Sequence, residues 1–351
     1  MSRSRIMGID IARALAVFGM IIVNFKVVIG DEGWSWVEAA AQLLEGKAAA
    51  TFVVLAGLGI ALMTNKAINS QDELRIKRIR LRLVRRALFL LIIGLSYLPI
   101  WPADILHFYG VYMLILLFYL RSNARWLLVS AAGFILLYPV VLSILDYESG
   151  WNFATLTYEG FWTWKGFFLN LFINGFHPVL PWVSFMLIGY WLGRQDLQDS
   201  HFLKRVLWYN AAIFIVLQVI SWLGKSFLPG GDLFWSTSPM PPLPMYMMSG
   251  VSFALVLITT CIFIGNRWQE VGLWQALSKT GKLSLTFYVA HVVLGMGLME
   301  GCFPRMLGQF SIQFSLFYAL LFSLGCVAFA VFWMKYRSSG PLEWLMRKLT
   351  G

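Results

Sequence analysis

Residues 312–335 read IQFSLFYALLFSLGCVAFAVFWMK, and the first charged side chain in that run is its last residue, Lys335. At about 1.5 Å per residue, a helix of this length covers the roughly 30 Å of a bilayer's hydrocarbon. Working outward, apolar runs of similar length fall at about 9–29, 48–65, 84–100, 105–121, 125–145, 178–194, 205–225, 245–265 and 282–301. Of the 351 residues, 59% are hydrophobic and 13% charged, more apolar surface than one soluble core hides. Backbone amides in hydrocarbon pair within their own helix or in a closed barrel, and these runs are helix-length rather than short alternating strands. The expected fold is therefore all-α: a polytopic transmembrane helix bundle of about ten spans, forming a single integral membrane domain over 1–351.

Ten spans put both termini on one side. That model assigns 23 of the 28 Lys and Arg residues to the side of the N-terminus, among them Arg3, Arg5 and the cations of the 66–86 loop. Lys26, Lys47, Lys165, Lys225 and Arg305 remain for the other side. The positive-inside bias makes the first side cytoplasmic, N-in/C-in, in a bacterial-type inner (plasma) membrane. It also accounts for the net charge of +11 without nucleic acid as a partner. The first apolar run lacks a small-residue cleavage pattern and reads as a retained span. Cys261, Cys302 and Cys326 form no C-x-x-C pair, so neither a disulfide framework nor a metal site is expected. The aromatic-rich loops at about 146–164 and 226–244 suit an outer lid.

Polar groups inside spans are costly unless they face the protein interior, which makes each a functional candidate. Asp10 and Arg13 lie one turn apart at the cytoplasmic start of the first span, and Asn24 lies about 21 Å further along it. Asp104 and His107 stand three apart where the fourth span enters, a spacing at which a carboxylate orients an imidazole or merely satisfies it. His177 precedes Pro178, and a proline suited to a first helical turn puts His177 about at the N-cap, where the helix dipole favours a neutral ring. His291 falls near mid-membrane and reads as a hydrogen-bonded core histidine; His201 lies in a cytoplasmic loop. Asn24, Lys47, Asp104, His107 and His177 all reach the outer leaflet, from four spans. They could form a small cavity with a general base, an orienting carboxylate and substrate contacts, Trp182 among the latter. The basic run Arg75, Lys77, Arg78, Arg80, Arg82, Arg85 and Arg86 serves topology and anionic lipid headgroups, or the phosphates of a coenzyme A donor.

Several motifs resemble the YeiB family of bacterial membrane proteins: Asp10-x-x-Arg13 with Val23-Asn24, Glu45-Gly-Lys47, Trp101-Pro-Ala-Asp104, Asn174-Gly-Phe-His-Pro-Val-Leu-Pro-Trp182 and Gly340-Pro-Leu-Glu-Trp344. The first span is also similar to that of heparan-α-glucosaminide N-acetyltransferase, within a superfamily of transmembrane acyltransferases. That resemblance implies acetyl transfer from cytoplasmic acetyl-CoA to an amine or hydroxyl on the far side, with Asp10, Arg13 and Asn24 on the relative's motif positions. The relative's catalytic histidine follows that Asn in the first outer loop; here Gly33-Trp-Ser-Trp-Val-Glu38 contains none.

The leading expectation is a membrane-embedded acyltransferase using acetyl-CoA or another acyl-CoA and no metal. His177 stands in as base, with His107 second and Asp104 as its support; Asn24, Lys47 and Trp182 contact substrate; Asp10 and Arg13 form the donor entrance. Expected partners are membrane lipids and a small-molecule, sugar or lipid-linked acceptor, with room for a homo-oligomer. The rival is a transporter or flippase without covalent chemistry.

Overall fold

The computed structural model describes residues 5–153, 155–228 and 233–351; Arg3, placed above on the cytoplasmic side, lies outside them. In chain order the elements are α1 (Met7–Ile29), α2 (Ser35–Leu44), α3 (Lys47–Asn69), α4 (Glu73–Tyr97), α5 (Leu106–Tyr119), α6 (Ala124–Leu142), β1 (Trp151–Asn152), β2 (Thr157–Tyr158), α7 (Trp164–Leu169), α8 (Val179–Gly193), α9 (Ser200–Phe227), α10 (Pro244–Arg267), α11 (Gly272–Gly281), α12 (Ser284–Ala290), α13 (Gly297–Cys302), α14 (Ile312–Trp333) and α15 (Pro341–Thr350). Two π-helical turns interrupt the series, Asn170–Asn174 after α7 and His291–Met296 between α12 and α13. The all-α bundle is as expected, with one two-stranded antiparallel ribbon among the described residues, β1–β2, in the loop at 146–164.

Each of the ten apolar runs is helical, that at 282–301 being divided among α12, a π turn and α13, but the helices are not equally long. Among the described residues, seven helical stretches have the length and composition to cross a membrane. The pair Trp164–Asn174 and Val179–Gly193, bent by 49°, makes an eighth if it is one span. The runs at 84–100 and 105–121 fall short of that test: α4 carries seven cations among its 25 residues, and α5 ends after 14 residues. Several helices begin where the sequence supplies a side-chain cap. Asp72 accepts the Arg75 amide at 2.9 Å, Asn123 that of Trp126 at 3.1 Å, and Asp199 that of His201 at 2.9 Å. The outward faces are apolar: Trp208, Ile215 and Trp222 on α9 and Phe317 and Leu324 on α14 are exposed, as lipid contact requires.

The described chain forms two compact units, one of residues 1–52 with 254–348 and one of 53–253 with 349–351. In the first, α1 packs along α11, α12 and α14. Gly281 lets α11 meet α1 at close range, since a Cβ there would overlap the Asp10 carbonyl. In the second, α4 packs on α5, and α8 packs on both α5 and α6. Gly189 of α8 lies against the Val54 carbonyl, leaving no room for a side chain between them.

Candidate functional site

The second unit buries a polar cluster where α5 and α8 begin. Asp104 stands just before α5 and is fully buried. Its Oδ2 accepts the His107 backbone N–H at 3.0 Å and lies 2.8 Å from His107 Nδ1, while Tyr97 at the end of α4 donates its hydroxyl to Oδ1. A carboxylate only accepts, so Nδ1 carries the ring proton and Nε2 is the basic nitrogen. Gly94 makes room for the dyad, because a Cβ there would overlap Asp104 Oδ2 and the His107 nitrogen.

His177 stands in the bend between the first π turn and α8. It is not the N-cap: Pro178 occupies that position, and Leu180 is still extended (φ −95°, ψ 113°), so regular helix starts only at Pro181. The residue is set by its backbone, whose carbonyl accepts the Tyr112 hydroxyl at 2.5 Å. Asn174 holds the preceding turn, donating to the Tyr147 and Ser149 carbonyls at 3.1 and 2.8 Å and accepting the Tyr158 hydroxyl at 3.1 Å. Trp151 and Tyr147 complete the strap by bonding the Asn174 and Gly175 carbonyls. Burial pushes the Tyr147 hydroxyl above its ordinary range, which keeps it a donor. The loop at 146–164 thus covers the His177 segment.

Rings link the cluster. His107 lies 3.9 Å from Phe108, Phe108 6.0 Å from His177, His177 4.6 Å from Trp182, and Trp182 5.9 Å from Tyr246. Four polar atoms along this chain, His107 Nε2, His177 Nδ1, Trp182 Nε1 and the Tyr246 hydroxyl, are buried with no hydrogen-bond partner among the described residues. Each would cost about 1–3 kcal/mol if left dry, so the cluster is built to take polar atoms from outside the protein.

The first unit holds the other candidates. Asp10, 1% exposed, binds Arg5 at 2.6 and 2.9 Å and Arg13 at 2.9 Å. Beside it is an open depression of about 350 Å³, lined by Arg5, Asp10, Gln275, Ser278, Lys279 and Lys282 among others. Farther along α1, Asn24 Nδ2 meets His291 Nε2 at 2.9 Å, although the sequence put the two at different depths. From the Asp10–Gly281 contact, Asn24 is about 21 Å along its helix and His291 about 15 Å along the α11–α12 segment, a difference of roughly one turn. Lys47 is buried at the start of α3. Lys26 pairs with Glu45 at 2.5 Å.

The structure thus joins Asp104, His107, His177 and Trp182 in one unit and Asp10 with Arg13 in the other. Tyr97, Tyr246 and Arg5 join these groups without a sequence signal that singled them out. Asn174 was visible only as part of a motif. Among the described residues no group of three His, Cys, Asp or Glu could hold a metal ion.

Residues 5–230 match the family model described as heparan-alpha-glucosaminide N-acetyltransferase, catalytic. The chain belongs to the heparan-alpha-glucosaminide N-acetyltransferase catalytic family. Residues 191–351 match a second model, a protein of unknown function (DUF418), which accords with the YeiB-like motifs. The chain is also 22% identical, over its whole length and 95% of the relative's, to the uncharacterized protein YxaH of Bacillus subtilis (strain 168). Membership of the N-acetyltransferase family, with the apolar helices, makes this a multi-pass membrane protein of acetyltransferase-like kind. The N-acetyltransferase match covers Asp10, Arg13 and Asn24 and the whole Asp104–His107–His177 cluster.

Proposed function

We propose that the protein is an inner-membrane acyltransferase that takes an acetyl group from cytoplasmic acetyl-CoA and delivers it to a hydroxyl or amine acceptor at the outer face. The observation that carries this reading is the Asp104–His107 dyad, with a basic Nε2 and two donors, Trp182 Nε1 and the Tyr246 hydroxyl, that have no partner among the described residues and lie in the same ring-to-ring cluster. His107 removes the acceptor's proton as its oxygen or nitrogen attacks the thioester carbonyl. The carbon–sulfur bond breaks, and the departing thiolate of coenzyme A takes up a proton. Asp104 fixes the tautomer and supports the imidazolium. The base role passes to His107 because, among the described residues, no carboxylate bonds the His177 ring; His177 Nδ1 serves the acceptor as a polar contact. Arg5, Lys279 and Lys282 supply the cations for the donor's phosphates, with Asp10 holding Arg5 and Arg13 in place. Asn24 and Lys47 are substrate contacts.

The test is acetyl transfer by the purified protein in lipid nanodiscs to a panel of amino and hydroxyl acceptors. His107→Ala should lower kcat by about 10²–10⁴-fold while the protein still melts cooperatively. A twofold loss removes His107 from the role.

The bend of 49° at His177 favours a second reading, transport, because broken spans are where carriers bind their substrates. Accumulation of an unaltered solute in proteoliposomes, with no acetylated product, would decide for it.

A further inference from the structure

The motif Gly340-Pro-Leu-Glu-Trp344 takes no part in the chemistry above, yet its acid is buried. Glu343 is 8% exposed, whereas Trp344 and Leu349 of the same helix, α15, are 53% and 61% exposed. Its carboxylate reaches the first turn of α12: Oε1 accepts the Leu285 amide at 2.8 Å and the Thr286 amide at 3.2 Å, and Oε2 accepts the Thr286 hydroxyl at 2.5 Å. Thr286 Oγ1 accepts the Leu342 amide in return, at 3.1 Å. Gly340 lets the chain close on this arrangement, since a Cβ there would overlap Glu343 Oε2.

These bonds replace a cap that α12 lacks. After the break at Leu283 (φ −109°, ψ 20°) the helix starts with no side-chain cap of its own, so the first-turn N–H groups of Leu285 and Thr286 take theirs from α15. α12 is only seven residues long, and its C-cap is His291, the first residue of the π turn. His291 is fully buried, packs edge-on to Tyr288 with centroids 5.3 Å apart, and meets Asn24 at 2.9 Å. A short helix transmits displacement of its start to its end, and a hydrogen bond of this length fails within a few tenths of an ångström. A π turn at the far end leaves little regular ladder to resist that displacement.

We propose that Glu343 is a positioning residue: by capping α12 from the C-terminal helix it holds His291 in register with Asn24, and through that pair it orients the Asn24 amide for substrate. The last clause rests on the acyl-transfer reading; the Glu343–His291 coupling does not.

The chain has four histidines, so nitrogen-15 spectra of histidine-labelled protein in bilayers can be assigned, with His291→Gln identifying one signal. In the native chain Nε2 of His291 accepts from Asn24 and Nδ1 carries the proton. Glu343→Ala should shift or broaden that signal as Asn24→Ala does, leaving the His107 and His177 signals in place. Thr286→Val, which removes one of three bonds to the carboxylate, should move it part of the way. An unchanged His291 signal in folded Glu343→Ala or Thr286→Val protein overturns the proposal, whether or not acetyl transfer is found. Where transfer is measured, Glu343→Ala should lower kcat/KM about tenfold, and Glu343→Gln, which retains one acceptor oxygen, should recover most of it.

Discussion

Gly94 and Gly133 both sit inside helices, and the difference between them measures how tightly the dyad is held. A methyl on Gly94 has to displace Asp104 or the His107 backbone, while a methyl on Gly133 meets nothing within 4 Å. Gly94→Ala should therefore lower stability by about 1–3 kcal/mol and carry most of the acyl-transfer activity with it. Gly133→Ala should be neutral or slightly stabilising, because alanine loses less conformational freedom in a helix. Melting temperature and transfer rate on the two variants check this; equal effects would mean that the dyad tolerates movement. Asp104 and His107 were legible in the sequence because they stand three residues apart where a helix begins, close enough in the chain to meet without distant packing. Asn24 and His291 were each legible as polar groups in apolar runs, but not as a pair, since they stand 267 residues apart and only packing of α1 on α12 brings them together.

At the scale of elements, α15 is held by a group whose charge opposes its burial. Desolvation pushes the Glu343 carboxyl above its ordinary 4.5, and the bonds from Thr286 and Leu285 pull the other way without cancelling it. A carboxyl with a higher pKa folded than unfolded binds its proton more tightly in the folded state. Its contribution to docking is complete below 4.5 and falls as pH rises through the folded value. Hydrogen-exchange protection of the Leu285 and Thr286 amides, corrected for intrinsic rate, should decline as pH rises above about 4.5, and Glu343→Gln should flatten the curve. Element boundaries explain where the reading of the sequence departed from the structure. Pro178 looked like a helix start, yet Pro181 is also a proline suited to a first turn, and the extended Leu180 between them moves the start there. Likewise the run at 105–121 is continuous in apolarity, but its helix stops at Tyr119, before the turn at Leu120.

For the whole molecule, composition made the lipid-solvated helical bundle plain, because apolar runs of spanning length can be counted without knowing how they pack. The division into two compact units was not visible, since each unit is assembled from segments far apart in the chain. Orientation can be tested through the three cysteines. Cys261 and Cys326 are buried at 1% and 5% exposure, whereas Cys302, at the end of α13, is exposed. With both termini cytoplasmic, a membrane-impermeant maleimide added outside intact cells should label Cys302 alone. Labelling only after the membrane is opened would reverse the orientation.

The two π turns give this architecture an unusual sensitivity to length. Each closes its hydrogen bonds over one residue more than an α turn, so each works as a single-residue insertion, one ending at Asn174 just before His177 and the other starting at His291. Deleting one residue from Asn170–Asn174 would close that turn to regular α-helix and remove the slack that sets where the bend before His177 begins. His177 would then leave the ring-to-ring chain, though every side chain of the site was still encoded. Chain length at these two turns is therefore as much a part of the site as the identity of its histidines.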